Sequence, residues 1–408
     1  MTELWKLFDS ILAFGQSENW KMIVMWIIGI VLIYLAIKKR MEPTLLLPIG
    51  FGAILMNFPG LVTPLEKCME CGTVFAEGQV CCDAMSVAEY AGIAEPLHIL
   101  YNAGIANELF PLILFIGIGA MIDFGPLLSN PKLMIFGAAA QFGIFFTLCM
   151  AAMFFAPEVA ASISIIGAAD GPTSIVVANA LLGGTSNSGY IGAIAVAAYS
   201  YMALVPIIQP PVIKLLTTKK ERRIRMAYTP TDVSKTTRIL FPIIITLVTC
   251  IFVPSASSLI GFLMFGNLIR ECGVLDSISE TAQKVLANLV TIFLGITIAF
   301  QMSADKFLNV NTLLILGLGL IAFVVDTAGG VLFAKLFNLI LKLFKKSPIN
   351  PMIGAAGISA FPMSGRIVHK MALQEDSSNF ILMQAIGVNV SGQIASVIAG
   401  SLILNFFS

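Results

Sequence analysis

Apolar residues run along this chain in long stretches, at 20–37, 43–58, 109–126, 133–155, 189–213, 238–254, 255–271, 286–302, 312–334 and 378–407. A helix needs about 20 such residues to cross the hydrocarbon core of a bilayer, so each window predicts a membrane span or one close to it. Two further apolar segments, 159–182 and 348–371, are interrupted, the first by Asp170-Gly171-Pro172 and the second by Asn350-Pro351, Ser359 and Pro362. Proline removes a backbone donor and breaks the helix, which leaves carbonyls and hydroxyls free to face a ligand in a protein-lined cavity.

The two interrupted segments share a phrase, Ile166-Gly-Ala-Ala-Asp170 in the first and Ile353-Gly-Ala-Ala-Gly357 in the second. Ile49-Gly-Phe against Ile260-Gly-Phe, and Phe115-Ile-Gly-Ile against Phe293-Leu-Gly-Ile, follow in the same order. These anchors divide the chain into a first transmembrane repeat, 22–213, and a second, 238–408, joined by a basic linker at 214–237. Residues 1–21 carry acids beside Trp5 and Trp20, lack the cationic start of a signal peptide, and predict an interfacial helix.

The basic clusters set the topology. If both interrupted segments crossed the membrane, Lys38-Lys39-Arg40 and the Lys219–Arg223 group would lie on opposite faces, against the positive-inside rule. If both are re-entrant, those clusters join Lys342–Lys346 and Arg366–Lys370 on the cytoplasmic face, and each half makes five crossings. An odd number inverts the second half relative to the first. The expected fold is therefore an all-α polytopic membrane protein, two inverted-topology repeats whose interrupted helices meet at a midplane site.

Composition agrees: only 12% of the 408 residues are charged, about half the usual share for a soluble domain, and the net charge of +1 gives no footprint for nucleic acid. The stretch 59–108, placed outside the membrane, holds Cys68-Met-Glu-Cys71 and Cys81-Cys82, spacing compatible with a metal knuckle, a disulfide or free thiols. Cys149, Cys250 and Cys272 sit in or beside spans as packing residues.

A carboxylate near the bilayer centre costs roughly 2.5–3.5 kcal/mol even on lenient insertion scales, which makes Asp170 the foremost candidate for a cation ligand. Asp326, flanked by Thr327 and Gly329-Gly330, is a second acidic candidate, whereas Asp123 precedes Phe-Gly-Pro at a helix end where a wet carboxylate is ordinary. Asn350, Ser359 and Arg366 belong to the second interrupted segment and Asn389 and Ser391 to the last span. The Asn and Ser oxygens among them suit a small alkali cation beside one carboxylate, or serve as helix-packing glue. Tyr199 and Tyr201 either cap a second ion position or belong to an aromatic belt.

Four stretches carry a resemblance: Gly167-Ala-Ala-Asp-Gly-Pro-Thr173, Ala198-Tyr-Ser-Tyr-Met-Ala-Leu-Val-Pro-Ile-Ile-Gln-Pro-Pro211, Gly261-Phe-Leu-Met-Phe-Gly-Asn-Leu-Ile-Arg270 and Asn350-Pro-Met-Ile-Gly-Ala-Ala-Gly-Ile-Ser359. From about residue 20 to its end the chain resembles the membrane beta subunit of sodium-pumping biotin-dependent decarboxylases, which act on oxaloacetate, methylmalonyl-CoA or glutaconyl-CoA. It departs from that pattern in the Cys-bearing 59–90 stretch. The resemblance implies a subunit of the cell (inner) membrane that decarboxylates carboxybiotin and couples this to outward sodium transport with consumption of a proton. It implies as partners a carboxyltransferase alpha subunit, a biotin carrier protein, a small membrane gamma or delta subunit and further copies of the beta subunit. By the same resemblance Asp170 is a sodium ligand and proton-exchange group, joined by Asn350, Gly354, Ser359, Asn389, Tyr199 and Tyr201, and the family's arginine corresponds to Arg366.

The chemistry of those residue types fits. Carboxybiotin is an anion whose breakdown leaves a basic ureido nitrogen, so it calls for a guanidinium, here Arg366, and a proton source, here Ser359 or Asp170. The rival is a sodium-coupled carrier of a dissolved carboxylate, with Arg366 as clamp and no covalent chemistry. A structural membrane anchor accounts for the hydrophobicity but not for Asp170 or the repeat.

Overall fold

The computed structural model describes residues 20–39, 43–58, 64–68, 74–76, 86–90, 94–183, 185, 187–226, 233–299 and 302–408. The predicted interfacial helix at 1–21 lies almost entirely outside the described residues, as do Cys71, Cys81 and Cys82.

All ten apolar windows fold as helices. Six described helices are long and apolar enough to cross a membrane, and eight if two bent pairs each count as one span. The spans are α1 (Trp20–Lys39), α3 (Leu109–Met121, bent against the helical turns before it), α4 and α5 (Met134–Ala140 and Phe142–Ala151, separated by a turn at Gln141), and α8 (Tyr190–Leu216). They continue with α9 (Lys235–Phe252), α11 (Ala287–Ile298 with the turns from Asp276), α12 (Val310–Leu343) and α14 (Leu382–Phe407). The windows at 43–58 and 255–271 become α2 (Pro43–Met56) and α10 (Ser257–Cys272), 14 and 16 residues long and so shorter than a full crossing. The membrane portion is helical, as expected. The all-α expectation misses one feature: strands β1 (Pro64–Cys68), β2 (Val74–Ala76) and β3 (Ser86–Tyr90) pair antiparallel in the order β2-β1-β3 within the 59–108 stretch.

The described residues divide into two compact units, 1–110 with 291–313, and 111–290 with 314–408. This division does not follow the two halves expected from the sequence repeat: part of the second half groups with the start of the first. In the smaller unit, Asn57 at the end of α2 donates to Met302 O at 2.8 Å and accepts from Ala304 N at 2.7 Å. A single buried amide thus ties two distant parts of the chain.

In the larger unit both interrupted segments return to the face they leave. The first consists of α6 (Pro157–Ser164), a 3-10 turn at Ile165–Ala168, and α7 (Gly171–Leu182). Phe155 before it and Tyr190 after it pack ring to ring with centroids 5.9 Å apart. A crossing would separate these ends by about 30 Å. The second consists of a 3-10 stretch, Pro351–Gly357, and α13 (Met363–Glu375). Asn350 before it and Asn379 after it both donate to the carbonyls of Arg222 and Ile224, so its ends also lie together.

Candidate functional site

Each re-entrant segment has a tip where helical hydrogen bonding stops. In the first, the 3-10 turn ends at Ala169 with φ of 53°, a left-handed conformation uncommon for a residue with a Cβ. Asp170 follows in extended conformation as the N-cap of α7, its side chain accepting from Thr173 N at 3.2 Å. Pro172 falls in the first turn, where no intrahelical donor is missed, and the helix N-terminus favours the negative charge of its cap. In the second, Ile358 is extended after the 3-10 stretch and leads to Ser359. The two tips join directly: Ser359 N donates to Ala168 O at 2.9 Å.

The last span completes the site. Ser396 Oγ and Gln393 Nε2 of α14 donate to Asp170 Oδ2 at 2.7 and 3.1 Å. The Ser359 and Ser396 hydroxyls are in contact, and Ser359 Oγ also lies 3.3 Å from Gly392 O. One turn back, Asn389 Nδ2 donates to Ile358 O at 2.7 Å, while its Oδ1 is buried without a hydrogen-bond partner. Tyr199 of α8 packs its ring against Gly171, where a Cβ would come within 2.5 Å of the ring; its hydroxyl is likewise buried and unpartnered.

Asp170 is 2% exposed, and among the described residues no lysine, arginine or histidine pairs with it. A buried charge left without a partner is costly. Beside it stand hydroxyls with spare lone pairs, the ring of Tyr199 lies against the adjacent Gly171, and the unused oxygen of Asn389 lies about two helical turns along α14 from Ser396; these are hard, neutral oxygens of the kind that receive an alkali cation.

The structure gathers Asp170, Ser359, Asn389 and Tyr199, and it leaves the other sequence candidates elsewhere. Asn350 caps the 3-10 stretch, accepting from Met352 N at 3.1 Å while its amide hydrogens bind Arg222 O and Ile224 O. Seven residues of 3-10 helix, on the order of 14 Å, separate it from the tip. Gly354 presses its backbone on Gly330 of α12. The Tyr201 hydroxyl bonds Leu316 O, also on α12. Asp123 accepts from Gly125 N at 2.8 Å and lies near Arg238 and Arg270, the wet helix-end carboxylate expected. Ser396 and Gln393, the two side chains that hold Asp170 Oδ2, were not singled out by the sequence.

Arg366 is exposed on α13, free of any ion pair among the described residues. The base of that helix is clamped to the linker. Arg222 Nε and Nη2 both reach Glu375 Oε1 at 2.7 Å, and Arg225 meets Asp376 Oδ2 at 2.8 Å. The Arg222 hydrogen bond holds the Glu375 carboxyl below its usual range, and the Arg225 hydrogen bond does the same for Asp376.

Comparison with known proteins adds the following. Residues 21–407 match the family described as the Na+-transporting oxaloacetate decarboxylase beta subunit. The chain is 45% identical to the oxaloacetate decarboxylase beta chain of Klebsiella pneumoniae, over 94% of either chain. It is also 45% identical to the methylmalonyl-CoA decarboxylase subunit beta of Propionigenium modestum, over 98% of this chain and 100% of the relative. The corresponding subunit of Veillonella parvula is 44% identical, over 94% of this chain and 93% of that one.

Proposed function

Since this chain belongs to the Na+-transporting oxaloacetate decarboxylase beta-subunit family and is a multi-pass membrane protein, we propose that it decarboxylates carboxybiotin and uses the event to move sodium outward past Asp170. The observation that carries the reading is the junction of the two re-entrant tips, Ser359 N on Ala168 O, with the buried carboxylate of Asp170 two residues beyond and no cationic side chain to balance it. If the two segments enter from opposite faces, as inverted repeats would place them, their touching ends form one site reachable in turn from either side.

In this reading sodium is cargo. Asp170 supplies its charge, and Ser359, Ser396, Asn389 and Tyr199 supply neutral oxygens. Asn350, Gly354 and Tyr201 hold the surrounding elements in place. Arg366 is exposed in the first turn of α13, seven residues after Ser359, where its fork of donors suits the carboxylate of carboxybiotin brought by a carrier protein. Asp170 also takes the proton that replaces sodium. Both cations then compete for one carboxylate, and each shifts the conformational equilibrium by its differential affinity for the two states. The carboxyltransferase alpha subunit, the biotin carrier protein, the small gamma or delta subunit and further copies of this chain complete the assembly.

The deciding experiment is purification of the chain with whatever accompanies it, followed by an avidin blot and reconstitution in liposomes. The reading expects a biotinylated partner and CO2 release stimulated by sodium together with sodium uptake into inside-out vesicles. A chain that purifies without a biotinylated protein and carries a dissolved carboxylate with sodium is instead a secondary carrier.

A further inference from the structure

Asp326 lies midway along α12, fully buried and unused by the reading above. Its Oδ1 accepts from Gly143 N at 3.1 Å. That donor is available because the helix is interrupted at Gln141, so Gly143 sits in the first turn of α5, where N–H groups lack intrahelical acceptors. Gly143 must be a glycine, since a Cβ there would lie 2.4 Å from Asp326 Cβ and 2.5 Å from its Oδ1. Asp326 Oδ2 is buried with no partner, and so is the hydroxyl of Thr327 beside it.

No lysine, arginine or histidine among the described residues pairs with Asp326. The titratable groups on the elements around it are Cys149 on α5, Glu158 at the start of α6, Asp170 beyond the 3-10 turn, Tyr201 on α8, whose hydroxyl bonds Leu316 O, and Lys335 and Lys342 on α12. Lys335 is nine residues, about 14 Å, along the helix and is engaged with Glu221 at 3.1 Å. A buried carboxylate so isolated needs a small cation to balance it.

The break at 141–143 lies between Asp326 and the first site. Gly167, in the 3-10 turn that leads to Asp170, stands against the Gly143 backbone, so close that a Cβ would lie 2.9 Å from its carbonyl. Gln141, at the interruption, donates to Gly137 O at 2.9 Å and reaches within 3.5 Å of Gly392 O, the carbonyl that Ser359 Oγ also contacts. Its own Oε1 is buried without a partner.

We propose that Asp326 is a second station for a monovalent cation, in series with the Asp170 site and linked to it through Gln141. The inference rests on the reading of Asp170 as the sodium site and adds a position to the same pathway. The cation is sodium or a proton, and the test separates them. Equilibrium binding of radioactive sodium to the purified complex without substrate is compared for the wild type, Asp170→Asn and Asp326→Asn. Infrared difference spectra on sodium addition follow carboxylic-acid bands in the same samples.

A sodium count one lower per copy in Asp326→Asn identifies sodium as the occupant. An unchanged count with one carboxylic-acid band lost identifies a proton. If Asp326→Asn leaves both the count and the bands as in the wild type, the station does not exist. If Asp170→Asn retains full sodium binding, the reading of the first site fails, whatever Asp326 does. Asparagine keeps the acceptor for Gly143 N, so the fold should survive. Should it not assemble, Asp326→Glu moves the charge by one methylene and is expected to weaken cation binding at least tenfold, and unchanged affinity would overturn the proposal. Where a proton is the occupant, Gln141→Leu should leave sodium bound at the first site while sodium addition no longer perturbs the Asp326 band, and a perturbation as in the wild type would remove Gln141 from the link.

Discussion

Asp170→Asn isolates the charge of the proposed sodium site from its shape. Asparagine is as good an N-cap as aspartate, so the bond from Thr173 N persists and α7 keeps its start. The new amide faces two donors, Ser396 Oγ and Gln393 Nε2. Ser396 can turn its hydrogen toward Ser359, and Gln393 can reverse its amide. The cost to the fold is the loss of charge-assisted hydrogen bonds, about 1.5–3 kcal/mol, which a thermal melt will register as a fall of a few degrees. The cost to cation binding is larger. A unit pair 4 Å apart at an effective dielectric of 20 is worth about 4 kcal/mol, or roughly a thousandfold in affinity. In proteoliposomes the variant should therefore assemble, melt near the wild type, and need roughly a thousand times more sodium for half-maximal decarboxylation. A shift of less than tenfold with sodium uptake intact would refute the assignment, because no rearrangement of neutral donors replaces a lost charge.

Three more outcomes follow from the geometry. Arg366→Lys should slow decarboxylation of carrier-bound carboxybiotin while sodium still protects the protein against heat; loss of sodium protection with normal turnover would move Arg366 to the ion path. Gly392→Ala places a Cβ 1.9 Å from the Gly357 carbonyl and should destabilise the assembled protein by about 1–3 kcal/mol, and an unchanged melting temperature would show that the backbones can part. The linker clamp should depend on acid. Glu375 and Asp376 are more acidic folded than unfolded, so their contribution is present above about pH 4, the unfolded carboxylate range, and is lost as pH falls through their folded values. Limited proteolysis at 223–234 should accelerate below that range, and a rate independent of pH would contradict the clamp.

The interruption at Asp170 was legible because a carboxylate followed by Gly-Pro has few readings inside an apolar segment. Ser359 and Asn389 came with it through the repeated phrase and the family pattern. Ser396 and Gln393 were hidden by the regularity of the last span, where single polar residues read as ordinary contacts between helices. A visible signal existed: Asn389, Gln393, Ser396 and Gly400 recur at helical spacing and form one polar, small-residue stripe. Asn350 was drawn to the ion by its neutral oxygen and by resemblance, although Asn before Pro is equally the signature of a cap, and the structure has it capping the 3-10 stretch. The strands at 64–90 left no apolar alternation to read, and the grouping of 291–313 with the first 110 residues depends on contacts between distant parts of the chain.

That stripe on α14 is also a ruler. Asn389 holds Ile358 of one tip, Gly392 fits against Gly357, Ser396 holds Asp170 of the other tip, and Gly400 lies on Thr173. Eleven residues of one unbroken helix, roughly 16 Å, thus hold residues of both tips along a single rod. Any opening that parts the tips has to strip one of them from this helix, whereas a motion that carries the tips and α14 together leaves every one of these contacts in place. Such a block would slide against α8 and α12, parting at the Gly330–Gly354 and Tyr199–Gly171 contacts, so that of the proposed ligands only the Tyr199 hydroxyl would be left behind while Asp170 and the ligands on the tips and α14 travel together.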